Sequence, residues 1–284
     1  MAERGDNRIR VETHHHYEIE KRLAARLRDA SRDARRELYT AVYDELYRSV
    51  PNHPQLVRKA DAEERTRHVA IQLRVLDGLL KSQYTFLEIG PGDCSLVRQL
   101  ATRVRLVYAV DISEEITADS ALPDNCKLLI SDGCSIPAPE GSVDVAYSNQ
   151  VMEHLHPDDA HDQLKNIYTV LKPGGSYVCI TPNRLNGPHD VSKDFDDVAT
   201  GFHLKEYSNK ELASLFREVG FAKVRRLLWL KGAVLSLPVA LFAALEDVLL
   251  VLPARIRSRI ARWAFFDLLL GIKLVGTKPS VDLR

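Results

Sequence analysis

Surplus charge of either sign is missing from this 284-residue chain, because 39 basic and 39 acidic residues cancel. A zero balance removes the global electrostatic footprint of a nucleic-acid binder, so no nucleic-acid partner is expected. Cysteine is scarce too. Cys94, Cys126, Cys134 and Cys179 form no CxxC pair, which points to buried or reduced thiols in a reducing compartment, taken here as the cytoplasm. The N-terminus is charged and lacks an apolar h-region, so no secretory signal is expected. Zinc-type ligand spacing is also lacking. His14, His15 and His16 are adjacent and cannot share one helix face, and only Glu12 and Glu18 flank them. No metal site is expected.

What is present is an ordinary globular composition, 45% apolar and 27% charged, enough for one large α/β domain with additions or two modest domains. Residues 1–17 read as an irregular exposed tail. From 18 to 48, Ile19, Leu23, Leu27, Ala30, Ala34, Leu38, Val42 and Leu46 recur at steps of four and three, which predicts one amphipathic helix ended by Pro51 and Pro54. A second helix is expected over 62–80. Together these make a tail and helical cap over 1–82. Strand-like runs then alternate with helical ones at 84–89, 105–111, 126–131, 143–148 and 176–181, with a helix opening near Asp158 and another over 208–219. Strands near 222–230 and 272–277 close the chain. They lack an obvious crossover, so antiparallel pairing at one edge is open to them. Such alternation predicts a mostly parallel sheet covered on both faces.

The informative segment is Phe86-Leu-Glu-Ile-Gly-Pro-Gly-Asp-Cys94, followed by Val107-Tyr-Ala-Val-Asp111. A strand ends at an acid, two glycines turn into a helix, and the next strand ends in a carboxylate that can accept from two ribose hydroxyls. Ser131-Asp132-Gly133, the strand Val143–Ser148 and Leu171-Lys-Pro-Gly-Gly175 follow in order. Together they resemble the class I S-adenosylmethionine-dependent methyltransferases over about residues 84–182, with a similar closing strand pair after Gly220. The resemblance implies an α/β fold, a Rossmann-like seven-stranded mostly parallel sheet with helices on both faces. It would occupy 83–284 and carry a helical insertion, 232–270, before the last strand. It also implies S-adenosyl-L-methionine as cofactor. Glu88, Gly90 and Gly92 would hold its methionine part, Asp111 the ribose, Ile112, Asp132 and Gly133 the adenine, and Asn149 the region of the transferred methyl. The family often has a third glycine where Cys94 stands. Ser95 departs from the dinucleotide fingerprint, which disfavours a nicotinamide-linked oxidoreductase. A non-catalytic or membrane-associated cofactor-binding protein is the other alternative.

His154 is the leading candidate base and His203 the second, since an imidazole titrates near neutrality. A scaffold role for either stays open. The expected substrate is a small-molecule acceptor methylated at oxygen. The loop 183–203, with Asp190, Asp194, Asp196 and Asp197, reads as a solvated acidic loop. Residues 232–253 are apolar but interrupted by Pro238 and Glu246-Asp247, and Arg255, Arg257, Arg259 and Arg262 follow. A buried lid or a homodimer contact fits this run better than a peripheral membrane helix spanning 232–262.

Overall fold

The computed structural model describes residues 2–53, 62–113, 122–230 and 233–280. The helices are α1 (Ala2–Asp29), α2 (Arg32–Ser49), α3 (Ala62–Leu76), α4 (Ser95–Ala101), α5 (Pro157–Val170), α6 (Asn209–Val219), α7 (Val239–Val251), α8 (Ala254–Ala261) and α9 (Ala264–Leu270). The strands are β1 (Thr85–Ile89), β2 (Leu106–Asp111), β3 (Cys126–Ile130), β4 (Val143–Asn149), β5 (Leu171–Thr181), β6 (Lys223–Leu230), β7 (Ala233–Pro238) and β8 (Ile272–Thr277). They form one sheet in the order β3-β2-β1-β4-β5-β8-β6-β7. The first five pair in parallel, and β8 joins β5 and β6 antiparallel.

Successive residues of a strand face opposite sides, so neighbours on β1 enter different cores. Leu87 packs in a cluster with Leu23, Leu27, Val42 and Leu46 of the N-terminal helices and Leu164 of α5. Phe86 packs on the other face with Val75 and Leu76 of α3 and Leu100 of α4. The N-terminal helices therefore bracket the sheet. A buried polar knot fixes α2 to α5: Arg35 donates to both oxygens of Asp159, at 2.5 and 3.0 Å, and the Tyr39 hydroxyl donates to the same carboxylate at 2.7 Å.

Four expectations change. Residues 2–17 are helical rather than irregular, supported by (i, i+4) pairs such as His16–Glu20. The single helix over 18–48 is two, because Ser31 leaves helical geometry and caps α2 through Ala34 N. The cap of α5 is His156, whose ring accepts from Asp158 N, rather than Asp158 itself. The insertion begins as a strand. β7 pairs antiparallel with β6 through Arg225↔Pro238 to Leu230↔Ala233, so the sheet has eight strands where seven were expected. Its β-tolerant run Ala-Val-Leu-Ser-Leu completes an edge that β6 would otherwise expose. Pro54 and Gly232 lie outside the described residues.

Candidate cofactor and acceptor site

At the carboxyl ends of β1, β2 and β4 lies a cavity of about 340 Å³, the place where open α/β sheets admit ligands. The turn after β1 requires glycine, both for its backbone conformation and for its packing. Gly90 has φ +68°, and a Cβ there would sit 2.6 Å from Val151 Cγ2. Gly92 (φ 56°) and Cys94 (φ 57°) continue in the left-handed region, so Cys94 adopts the conformation for which glycine is the low-cost choice. Glu88 lines the cavity from β1. Its Oε2 is buried and has no hydrogen-bond partner among the described residues. Burial first, then Asp93 and Asp111 nearby, push its carboxyl up to about 8. Asp111 ends β2 nearly buried, with Oδ1 accepting from Ile112 N at 2.7 Å and Ser113 N at 3.3 Å.

Of the residues singled out in the sequence, Glu88, Gly90, Gly92, Asp111, Ile112, Gly133, Asn149 and His154 line this one cavity. Asp132 does not. Its Oδ1 accepts from Cys134 N at 3.0 Å and Ser135 N at 2.6 Å, while Oδ2 faces Arg36 at 3.5 Å. An Asp-Gly turn that binds its own backbone is the ordinary use of that dipeptide. His203 also stays off the cavity wall, buried behind His154 with ring centroids 4.9 Å apart and its Nδ1 2.7 Å from Glu206 Oε1. Burial lowers its pKa, but the Glu206 hydrogen bond and the charge of Glu153 outweigh this, and the net shift is upward.

His154 is placed differently. It sits in a short 3-10 turn after β4, and its Nδ1 lies 3.0 Å from the Phe202 carbonyl oxygen. A carbonyl only accepts, so Nδ1 carries the hydrogen and Nε2 is the basic nitrogen. Burial and then His203 pull its pKa down to about 3, leaving the ring neutral at physiological pH.

Residues missed in the sequence complete the wall. Tyr39, Tyr43 and Tyr47 line it from α2, and Glu64, Arg65 and Gln72 from α3. The (i, i+4) repeat of the three tyrosines was the available signal. It was masked by the adjacent seam of Val42 and Leu46, which reads as ordinary core. The acidic loop is solvated only in part, at the exposed Asp194 and Asp197. Asp190 is buried, accepting from Ser192 N at 3.1 Å and His203 N at 3.3 Å, and Asp196 accepts from Tyr17 at 2.7 Å.

A family model described as a methyltransferase domain matches residues 87–179. A protein of Mycolicibacterium smegmatis named as a probable S-adenosylmethionine-dependent methyltransferase is 31% identical over 136 residues, 48% of this chain and 51% of that one. A tRNA N(3)-cytidine methyltransferase of Bos taurus is 27% identical over 51% of this chain and 43% of its own. The chain thus spans about half the length of the curated relatives it matches. Among solved structures, a methyltransferase in complex with the Haloferax volcanii Trm112 activator aligns with TM-score 0.54 and 20% identity, covering 78% of this chain and 96% of its own. An S-adenosylmethionine-dependent methyltransferase of Mesorhizobium loti aligns with TM-score 0.50 and 16% identity, over 73% and 96%. These two likenesses establish the fold.

Proposed function

We propose that this chain is a class I S-adenosylmethionine-dependent methyltransferase that methylates a small-molecule acceptor at oxygen, beneath the cap formed by α1–α3, a reading supported by the methyltransferase-domain match over residues 87–179. The observation that carries this reading is one cavity shared by Glu88, Asp111 and His154. The residues fit the cofactor. The partnerless Glu88 Oε2 offers a buried acceptor for an ammonium group, and Asp111 offers acceptors for two vicinal hydroxyls. When bound, S-adenosylmethionine supplies an electrophilic methyl group on a positively charged sulfur. The protein's own work is positioning the acceptor and receiving its proton. His154 Nε2, the ring nitrogen that the Phe202 carbonyl leaves unprotonated, is the cavity-wall acceptor for that proton, and a pKa pulled down to about 3 makes it a weak one.

The His154→Ala variant should therefore lower turnover of a hydroxylated acceptor by roughly 10², the low end of general-base effects, while leaving S-adenosylmethionine affinity unchanged. With a neutral ring across the working range, wild-type turnover should show no titration step near pH 6.5. A variant as fast as wild type would reduce His154 to scaffold. The bovine relative acts on tRNA by its name, so transfer RNA belongs in the acceptor screen. The balanced charge of this chain favours a small molecule.

The region after β6 supports a peripheral membrane contact over residues 232–262. The helix α7 buries an acid beside Val239, Phe242 and Leu249. That acid, Glu246, is 1% exposed and accepts from Asn183 Nδ2 at 2.6 Å and Asn209 N at 2.7 Å, while its neighbour Asp247 is exposed and pairs with Lys210. Three apolar residues of the helix face outward, Val251 at 85%, Val248 at 65% and Leu241 at 59%. Trp263 and Phe265 are exposed beside the exposed Arg259 and Arg262. An apolar, aromatic and arginine-bearing surface matches anionic lipid better than water. Among the described residues no helix is long and apolar enough to cross a membrane. The protein should float with phosphatidylglycerol vesicles and not with pure phosphatidylcholine, and Val251→Glu with Trp263→Glu should abolish flotation. Flotation unaffected by those changes would contradict the contact. A concentration-dependent homodimer that they dissolve would assign the face to a second copy.

A further inference from the structure

The described residues bring a second histidine–carboxylate cluster together on the cap, away from the cavity wall. His16 and Glu20 lie one turn apart on α1, and His53 follows the end of α2. Glu20 Oε1 is 2.7 Å from His16 Nε2 and 3.4 Å from His53 Nε2. The three candidate ligand atoms all lie within 4.8 Å of one another. Tetrahedral zinc with bonds of about 2.0–2.1 Å separates its ligand atoms by about 3.3 Å, so the observed spacings straddle the distance a metal would impose. The side chains of all three are close to buried, at 12%, 6% and 9% exposure. His14 and His15 of the same run are exposed and contribute no ligand atom to the cluster.

We propose that His16, Glu20 and His53 bind a divalent transition-metal ion of the zinc class, which ties α1 to the end of α2 and fixes the carboxylate that holds the loop orienting His154. Two imidazoles and a carboxylate are the ligand types this ion prefers, and three protein ligands leave a fourth position for water. The support around the carboxylate is already built. Phe202 N donates to Glu20 Oε2 at 3.2 Å, and a Cβ at Gly201 would lie 2.5 Å from that same oxygen, so glycine makes room for it. Metal-ligating groups are characteristically held in this way by a neighbouring donor. The Phe202 peptide then carries the connection onward. Its N–H holds Glu20, and its carbonyl holds the His154 ring. The second cluster, Glu153, His154 and His203, belongs to the site already described, because His154 lines the cavity.

The test uses the full chain stripped with EDTA and titrated with ZnCl2 against a chromophoric chelator. Wild type should take up one equivalent with sub-micromolar affinity and melt at a higher temperature when loaded. The His16→Ala/His53→Ala double variant should lose at least 100-fold in affinity while retaining S-adenosylmethionine binding, and His14→Ala/His15→Ala should bind zinc as wild type does. No uptake by wild type, or unchanged uptake by the His16/His53 variant, would overturn the site and leave a hydrogen-bonded carboxylate hub. If the double variant does not fold, the visible spectrum of CoCl2-loaded wild type decides. Intense four-coordinate bands support the site, and weak six-coordinate bands overturn it.

Discussion

The Asp111→Ala variant should lose S-adenosylmethionine binding, with affinity falling by ~100-fold or more, since each charge-assisted hydrogen bond contributes about 1.5–3 kcal/mol and the proposed site gives this carboxylate two ribose hydroxyls. The placement of the acid begins in the sequence. Val107-Tyr-Ala-Val is a run buried on both faces, and a parallel neighbour on each side extends it to Asp111, where β2 stops. The acid cannot rotate freely, because Ile112 N and Ser113 N hold its Oδ1. A carboxylate organised before the ligand arrives loses little entropy on binding it. Asp111→Asn separates charge from shape. It keeps the side-chain volume, accepts only through one oxygen, and should fall between wild type and alanine. Titration calorimetry reads both, and a melting curve for each variant shows that the β2 end has survived.

Stability is most exposed at Asp159. Its carboxylate is fully buried and receives Arg35 Nε and Nη2 and the Tyr39 hydroxyl. Removing it leaves a buried guanidinium without its counter-charge, so Asp159→Ala should cost about 3–5 kcal/mol in urea unfolding. The effect should reach the site as well. The Tyr39 ring packs on Gly133, where a Cβ would meet it at 2.9 Å, and Tyr39 lines the cavity. Weaker cofactor binding should therefore accompany the lost stability. Replacing Arg35 and Asp159 together by apolar residues of similar volume should recover much of the loss, because no charge is then stranded. A single Asp159→Ala variant as stable as wild type would show that α2 does not depend on this knot.

The core of the fold was readable because its signals are local. The apolar run of β1, the Gly-Pro-Gly turn and the acid ending β2 are set by nearest neighbours along the chain, and the structure brings their residues to one cavity. What the sequence hid was decided by partners distant in the chain. Residues 2–17 read as a tail because their polar pattern shows no seam. The burial of Tyr17 becomes apparent only when it meets Phe195 and Asp196. The eighth strand was hidden because Ala233–Pro238 reads equally as the start of an apolar helix, and only the open edge of β6 selects the strand. Asp132 and Asp111 are the same residue type at the ends of neighbouring strands. One turns to its own loop and the other lines the cavity, and a periodic pattern cannot distinguish them. The burial of Glu246 on α7 was unreadable for a related reason. This acid is an interruption in the sequence, yet in the fold it faces inward with Val239, Phe242 and Leu249.

The most direct test of the central claim is calorimetry of the wild-type chain and Asp111→Ala with S-adenosylhomocysteine, the demethylated cofactor. The wild type should bind one equivalent with micromolar or tighter affinity, the variant should give no measurable heat, and NADH should bind neither. Absence of binding by the wild type, or binding that survives Asp111→Ala, would contradict it.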